Sequence, residues 1–212
     1  MEKIKNELFT TKNIATIALL TAVSFILYMF AKFNLPFVFP GFLEMQFSDM
    51  PALLGGFAIG PWAGGIIIVL KCLLKMPFSS TACVGEFADI IVGLAFVIPS
   101  TIFYKFHRTK KGAIISLLIG VLSAVCFSLI ANRFILVPFF AKEYGMDAVV
   151  GMMKSLFPNI TSENIYAYYL PASVLPFNFL RCLICSLITY FVYKPVARAL
   201  RWERTKTKQD KK

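Results

Sequence analysis

The sequence predicts an all-α integral membrane protein with six transmembrane helices and both termini in the cytoplasm. Composition is the first reason. Hydrophobic residues make up 58% of the 212-residue chain and charged residues 16%, against roughly 45–50% and about 25% in soluble domains. Mean hydropathy is +0.72. The second reason is the recurrence of apolar stretches long enough to cross a bilayer. The third is the placement of positive charge. Lys3, Lys5 and Lys12, then Lys105, Arg108, Lys110 and Lys111, then the tail over 194–212 form basic patches. Such patches mark the cytoplasmic side of a membrane protein. The formal charge of +11 would suggest nucleic acid in a soluble chain. Here it reports topology, and the expected surroundings are a lipid bilayer without nucleic acid.

The first helix lies between Lys12 and Lys32, with no small-residue cleavage site after it, so it reads as a span and not as a signal peptide. The next apolar stretch, between Asp49 and Lys71, is interrupted by Gly60-Pro61. If it formed one span, the patch at 105–111 would fall outside. A cytoplasmic turn at Gly60-Pro61 between two short helices, 49–59 and 61–76, keeps all three patches inside. Proline also lacks a backbone donor and disfavours helix at the residue before it. The fourth helix is expected over 83–104, the fifth over 112–141 and the sixth over 165–193. Residues 32–48, 77–83 and 140–165 then lie outside. The first of these is amphipathic, with Phe33, Pro36, Phe37, Phe39, Pro40 and Phe42, and the last is polar enough for a short surface helix. The expected organisation is a cytoplasmic N-terminal segment over 1–11, a membrane domain over 12–200 and a basic cytoplasmic tail over 201–212. The charge-dense part from Arg204 is expected to be disordered.

Ionisable groups inside a span are expensive and usually face a partner or a cavity. Glu86 and Asp89 are i and i+3, as are Asn178 and Arg181, and Asn132 and Arg133 are adjacent. Arg181 stands 13 residues before Lys194, roughly 20 Å along a helix. All three pairs therefore fall at one level, in the outer half of the membrane. One reading is a structural network in which Arg133 and Arg181 neutralise the two acids. The other is a pocket open to the outside for a ligand rich in hydroxyl, imide and carbonyl groups, with aromatic walls. Ala15, Ala18 and Ala22 form a small-residue stripe on the first helix, which suits close approach of another helix.

Several classes are disfavoured. No G-x-x-x-x-G-K-[ST] phosphate loop, H-E-x-x-H or G-x-S-x-G motif is present. The lone His107 lies in a basic loop, away from every serine or cysteine within a span. Cys182-x-x-Cys185 sits in an apolar helix, a setting for core residues and not for redox or zinc chemistry. No enzyme is expected, no metal, and no cofactor.

Residues 47–64 (FSDMPALLGGFAIGPWAG) resemble a segment of the substrate-binding subunits of energy-coupling factor (ECF) transporters. Residues 84–89 (VGEFAD), 132–138 (NRFILVP) and 175–181 (LPFNFLR) extend the resemblance to about 12–200 and point to the riboflavin-binding branch. The resemblance implies the ECF S-component fold of six helices, with a vitamin cavity opening outward. It implies a transmembrane coupling subunit and two ABC-type ATPases as partners, in a bacterial plasma membrane. It implies ligand contacts from Met45, Phe47, Gly85, Glu86, Asp89, Asn132, Asn178 and Arg181, and docking of the coupling subunit on Ala15, Ala18 and Ala22. Relatives often carry Asn at position 89 and Lys at 181. An arginine presents a planar fork instead of a point donor. That leaves open either a phosphorylated flavin (FMN) or a pair with Asp89. Another vitamin or a queuine-like base, and a solitary ion-coupled carrier using Glu86 and Asp89 as a proton relay, are the competing readings; an intramembrane enzyme is a weaker one.

Overall fold

The computed structural model describes residues 10–40, 43–79, 81–154 and 156–209. Lys3, Lys5, Phe42 and the last three residues lie outside the described residues. Helix α1 (Thr11–Phe30) starts where Thr10 Oγ1 accepts a hydrogen bond from Asn13 N, a side-chain cap for an otherwise orphaned donor. A short antiparallel hairpin follows, β1 (Lys32–Asn34) and β2 (Glu44–Gln46), with Phe33 opposite Met45. Helices α2 (Met50–Ala58) and α3 (Pro61–Lys75) come next, and a 3-10 turn (Met76–Phe78) closes α3. Helix α4 (Val84–Phe106) and α5 (Lys110–Ala131) pack side by side. Two short helices, α6 (Val137–Tyr144) and α7 (Met146–Lys154), follow a π-helical turn. Finally α8 (Ile165–Tyr169) runs through a second π-turn into α9 (Leu175–Gln209).

Five helical stretches among the described residues are long and apolar enough to cross a membrane: Thr11–Phe30, Pro61–Phe78, Val84–Phe106, Lys110–Tyr144 and Ile165–Val196. The remaining expected span is α2. Its 9 residues reach about 14 Å at 1.5 Å per residue, short of a hydrocarbon core of about 30 Å. The reversal after it falls at Gly60, whose φ of 146° is open to glycine and strained for other residues. At Gly64 a Cβ would meet Val97 Cγ1 at 2.6 Å and the Ala52 carbonyl at 2.9 Å, so its absence lets α2, α3 and α4 close up.

The Gly60 turn lies beside Tyr104, Lys105 and Arg108. The Phe57, Tyr104 and Tyr193 rings cluster there, with centroids 4.3 to 6.1 Å apart. The turn, the 105–111 patch and the start of the C-terminal basic run thus share one end of the bundle. Tyr28, near the other end of α1, lines a cavity at the opposite end together with Lys75 and Glu86.

Helix α9 continues to Gln209, so the segment expected to be disordered from Arg204 is helical up to that residue. After Pro195 it contains neither Gly nor Pro and is rich in residues with good helix propensity. The 32–48 segment, expected as an amphipathic stretch, contains the β-hairpin. The 140–165 segment carries α7, which buries Val149, Val150 and Met153.

Both π-turns end one residue before a proline. Val137 N bonds Asn132 O ahead of Pro138, and Leu175 N bonds Leu170 O ahead of Pro176. A proline ring in a helix clashes with the carbonyl four residues back and supplies no donor. The wider i→i−5 turn relieves both problems and re-aims the side chains around it. Asn132 opens the first π-turn, and Asn178 lies just beyond the second.

The helices turn their polar faces inward. On α1 the buried residues are Asn13, Ile17, Thr21, Ser24 and Tyr28. Ile14, Leu19, Val23, Ile26 and Phe30 are exposed, as a lipid-facing surface requires. Two apolar clusters form the interior. One is built around Leu53, Ile67, Phe96, Val97 and Val121, the other around Met45, Met153, Ile165 and Tyr169.

Candidate functional site

Between the two clusters lies a cavity of about 230 Å³. Ala88, Val92 and Ala131 of the first cluster and Leu43 and Phe177 of the second line it. An apolar annex of about 160 Å³ adjoins it and shares Thr81, Leu136 and Phe140.

A closed ring of buried charge forms one wall and continues behind it. Arg181 Nη2 on α9 lies 2.6 Å from Asp49 Oδ2 and 2.9 Å from Asp89 Oδ1. Lys71 Nζ on α3 lies 2.5 Å from Asp49 Oδ1 and 3.0 Å from Asp89 Oδ2. Two acids and two bases therefore bridge each other in both directions. Asp89 and Arg181 face the cavity, whereas Asp49 and Lys71 stand behind them. Gln46 Nε2 donates to Asp89 Oδ1 at 3.0 Å, and Lys71 donates to Ser48 Oγ at 2.6 Å. Ser24 of α1 donates to the Ser48 carbonyl. The network thus joins α1, the segment after β2, α3, α4 and α9. Desolvating four charges is expensive, and their mutual attraction offsets this only with complete pairing. Arg181 Nε is buried without a hydrogen-bond partner among the described residues.

A second set of charge lies around Glu86. Ser79 Oγ donates to Glu86 Oε2 at 2.6 Å, and Lys75 Nζ stands 3.7 Å from Oε1. Lys71 and Lys75, one helical turn apart, both lie over the Tyr28 ring, 5.0 and 5.7 Å from its centroid, within cation–π range. Across the cavity, Tyr169 OH donates to Asn132 Oδ1 at 2.6 Å, and Asn132 Nδ2 donates to Ser128 O at 2.9 Å. Asn178 Nδ2 donates to Val174 O at 2.9 Å. These bonds fix both amides beside the cavity.

Of the residues singled out in the sequence, Gly85, Glu86, Asp89, Asn132, Asn178 and Arg181 line one cavity. Met45 and Phe47 do not. Met45 is buried in the second apolar cluster, and Phe47 packs on the first with its ring 6.0 Å from Phe33. Side chains alternate along a strand, and β2 turns Glu44 and Gln46 to the cavity instead. Among the described residues Arg133 pairs with neither acid; its guanidinium lies 4.7 Å from the Tyr166 ring centroid. Lys71 and Lys75 neutralise them with Arg181, and Asp49 joins the network as a further acid. In the sequence Asp49 and Lys71 read as the boundaries of an apolar stretch, and Lys75 was not singled out. The i, i+4 spacing of Lys71 and Lys75 at the end of an apolar helix was the available signal. Ala15, Ala18 and Ala22 are all exposed on the side of α1 turned away from the bundle interior.

The family model described as "ECF transporter, substrate-specific component" matches residues 12–193. The riboflavin transporter RibU of Staphylococcus aureus (strain TCH60) is 30% identical over 190 residues, covering 90% of this chain and 93% of that protein. The riboflavin transporter FmnP of Bacillus subtilis (strain 168) is 24% identical over 186 residues, covering 86% and 90%. A solved S component of a bacterial ECF transporter superposes with a TM-score of 0.68 at 31% identity, covering 88% of this chain and 96% of that one.

Proposed function

The chain belongs to the substrate-specific components of ECF transporters, and from that premise we propose that it captures riboflavin and delivers it across a bacterial plasma membrane. The observation that carries this reading is the cavity itself. It places two anchored amides and a guanidinium with an unused donor opposite apolar walls. Riboflavin offers a flat tricyclic ring, an imide edge and a polyol chain. Leu43, Phe140, Phe177 and the annex would hold the ring. Asn132, Asn178 and Arg181 Nε would meet the imide or polyol groups, with Glu86 accepting from hydroxyls. A site whose buried polar groups need those partners rejects analogues that leave them unpaired.

In the proposed topology the cavity end faces outward and the basic end faces the cytoplasm, as the positive-inside rule requires. The α2–α3 hairpin supplies two of six membrane helices, with α2 short and enclosed by protein. Residues 1–11 and 201–212 are then cytoplasmic flanks of a membrane domain over 12–200. The exposed Ala15, Ala18 and Ala22 stripe would dock a coupling subunit that works with two ABC-type ATPases. This chain has no phosphate loop of its own.

Uptake of labelled riboflavin into vesicles tests the proposal. Uptake should require this chain, a coupling subunit, both ATPases and ATP together. Uptake by this chain alone on an ion gradient would contradict it.

A further inference from the structure

A cleft of about 100 Å³ opens at the basic end of the bundle, far from the cavity. Phe57, Ile59, Gly60, Trp62, Lys105 and Arg108 line it. The Gly60 turn leaves it open, since a Cβ there would meet nothing within 4 Å. Lys105 closes α4 and Arg108 follows it; both are exposed. Among the described residues neither has a carboxylate partner, in contrast to Lys71, Lys75 and Arg181 at the other end. Lys110 and Lys111 add positive charge at the start of α5. Trp62 is 63% exposed at the rim, a residue type enriched where a protein crosses the membrane–water boundary. Also on α4, Ile102 and Phe106 are exposed apolar side chains.

The cleft thus combines unpaired cations, an interfacial indole and an apolar surface leading away along α4. A free anion would use only the first of these. We propose that it binds the phosphodiester headgroup of an anionic phospholipid, with an acyl chain lying against Ile102 and Phe106. Each basic side chain near an anionic membrane surface strengthens attraction by about fivefold. Lys105 and Arg108 together then account for roughly a thirtyfold preference for anionic over zwitterionic lipid.

Native mass spectrometry of the detergent-solubilised full chain tests this with added phosphatidylglycerol or phosphatidylcholine. The wild-type chain should retain phosphatidylglycerol selectively. Lys105→Gln/Arg108→Gln should lose most of that preference, and Lys110→Gln/Lys111→Gln, which removes equal charge outside the cleft, should lose distinctly less of it. Equal retention of both lipids by the wild type overturns the proposal. So does unchanged selectivity in the cleft variant, equal loss in both variants, or displacement of the lipid by inorganic phosphate. A second readout needs no substitution in the cleft. In a Trp202→Phe background, Trp62 emission should shift with phosphatidylglycerol vesicles and not with phosphatidylcholine vesicles; the same response to both contradicts the site.

Discussion

Arg181 and Asp49 stand 132 residues apart in sequence, yet their side chains meet at 2.6 Å inside the bundle. Through this pair the segment after the β-hairpin is tied to α9. Asp89 and Lys71 close the same ring from α4 and α3. The ring ties the cavity wall together, and Arg181 Nε is buried there without a hydrogen-bond partner among the described residues.

Removing that guanidinium has two consequences. Arg181→Ala leaves Asp49 and Asp89 with Lys71 as their only cation, which should destabilise the protein by about 3–5 kcal/mol. Thermal unfolding in detergent reads this loss. Arg181→Lys keeps the charge but lacks the fork, so it should recover much of the stability and less of the riboflavin affinity. Equal stability of Arg181→Ala and wild type would refute the buried ring.

The register of β2 makes its own prediction. Gln46→Ala should weaken riboflavin binding by about tenfold, the scale of one lost buried hydrogen-bonding group. Phe47→Ala should change it by no more than about twofold, because its ring packs on the apolar cluster and not on the cavity. A fluorescence titration of each variant decides between the two faces; the reverse order would place the strand one residue out of register.

The cavity's charge is balanced. Lys71, Lys75 and Arg181 each stand within ion-pairing distance of an acid, drawn from Asp49, Asp89 and Glu86. A phosphorylated ligand would bring negative charge with no free cation among the described residues of the cavity wall to receive it. FMN should therefore bind at least about tenfold more weakly than riboflavin, about 1.4 kcal/mol. Competition between the two flavins measures this, and equal affinity would show that the pairing rearranges for an anion.

The stripe on α1 is separable from the cavity. Ala18→Trp or Ala22→Trp should abolish ATP-dependent uptake while changing riboflavin affinity by less than about twofold. Binding assays on the purified variants and uptake assays in reconstituted vesicles make the separation. Loss of binding in both variants would mean that this face supports the cavity instead of docking a partner.

Helix positions and the shared level of Glu86, Asn132, Asn178 and Arg181, which line one cavity, were legible in the sequence because apolar length and counting along a helix fix height along a bundle. Two features were not. The β-hairpin is short and rich in Phe and Pro, so period-2 alternation over 44–46 has too few residues to declare which face meets the cavity. Asp49 and Lys71 lie at the edges of apolar stretches, where charge ordinarily means solvent. Only the folded arrangement shows that the α2–α3 hairpin brings them beside Asp89 and Arg181. The π-turns were hidden for a related reason. Pro138 and Pro176 announce a disturbed helix, and whether it breaks or widens depends on neighbouring helices that satisfy the freed backbone.

The most direct test of the account is titration of riboflavin fluorescence with the detergent-purified full chain, beside Asn178→Ala and Arg181→Ala. The account predicts saturable quenching at one flavin per chain, with affinity reduced by about tenfold or more in each variant. A wild-type chain that neither copurifies with flavin nor quenches it, or variants that bind as tightly as wild type, would contradict the assignment of this cavity to riboflavin.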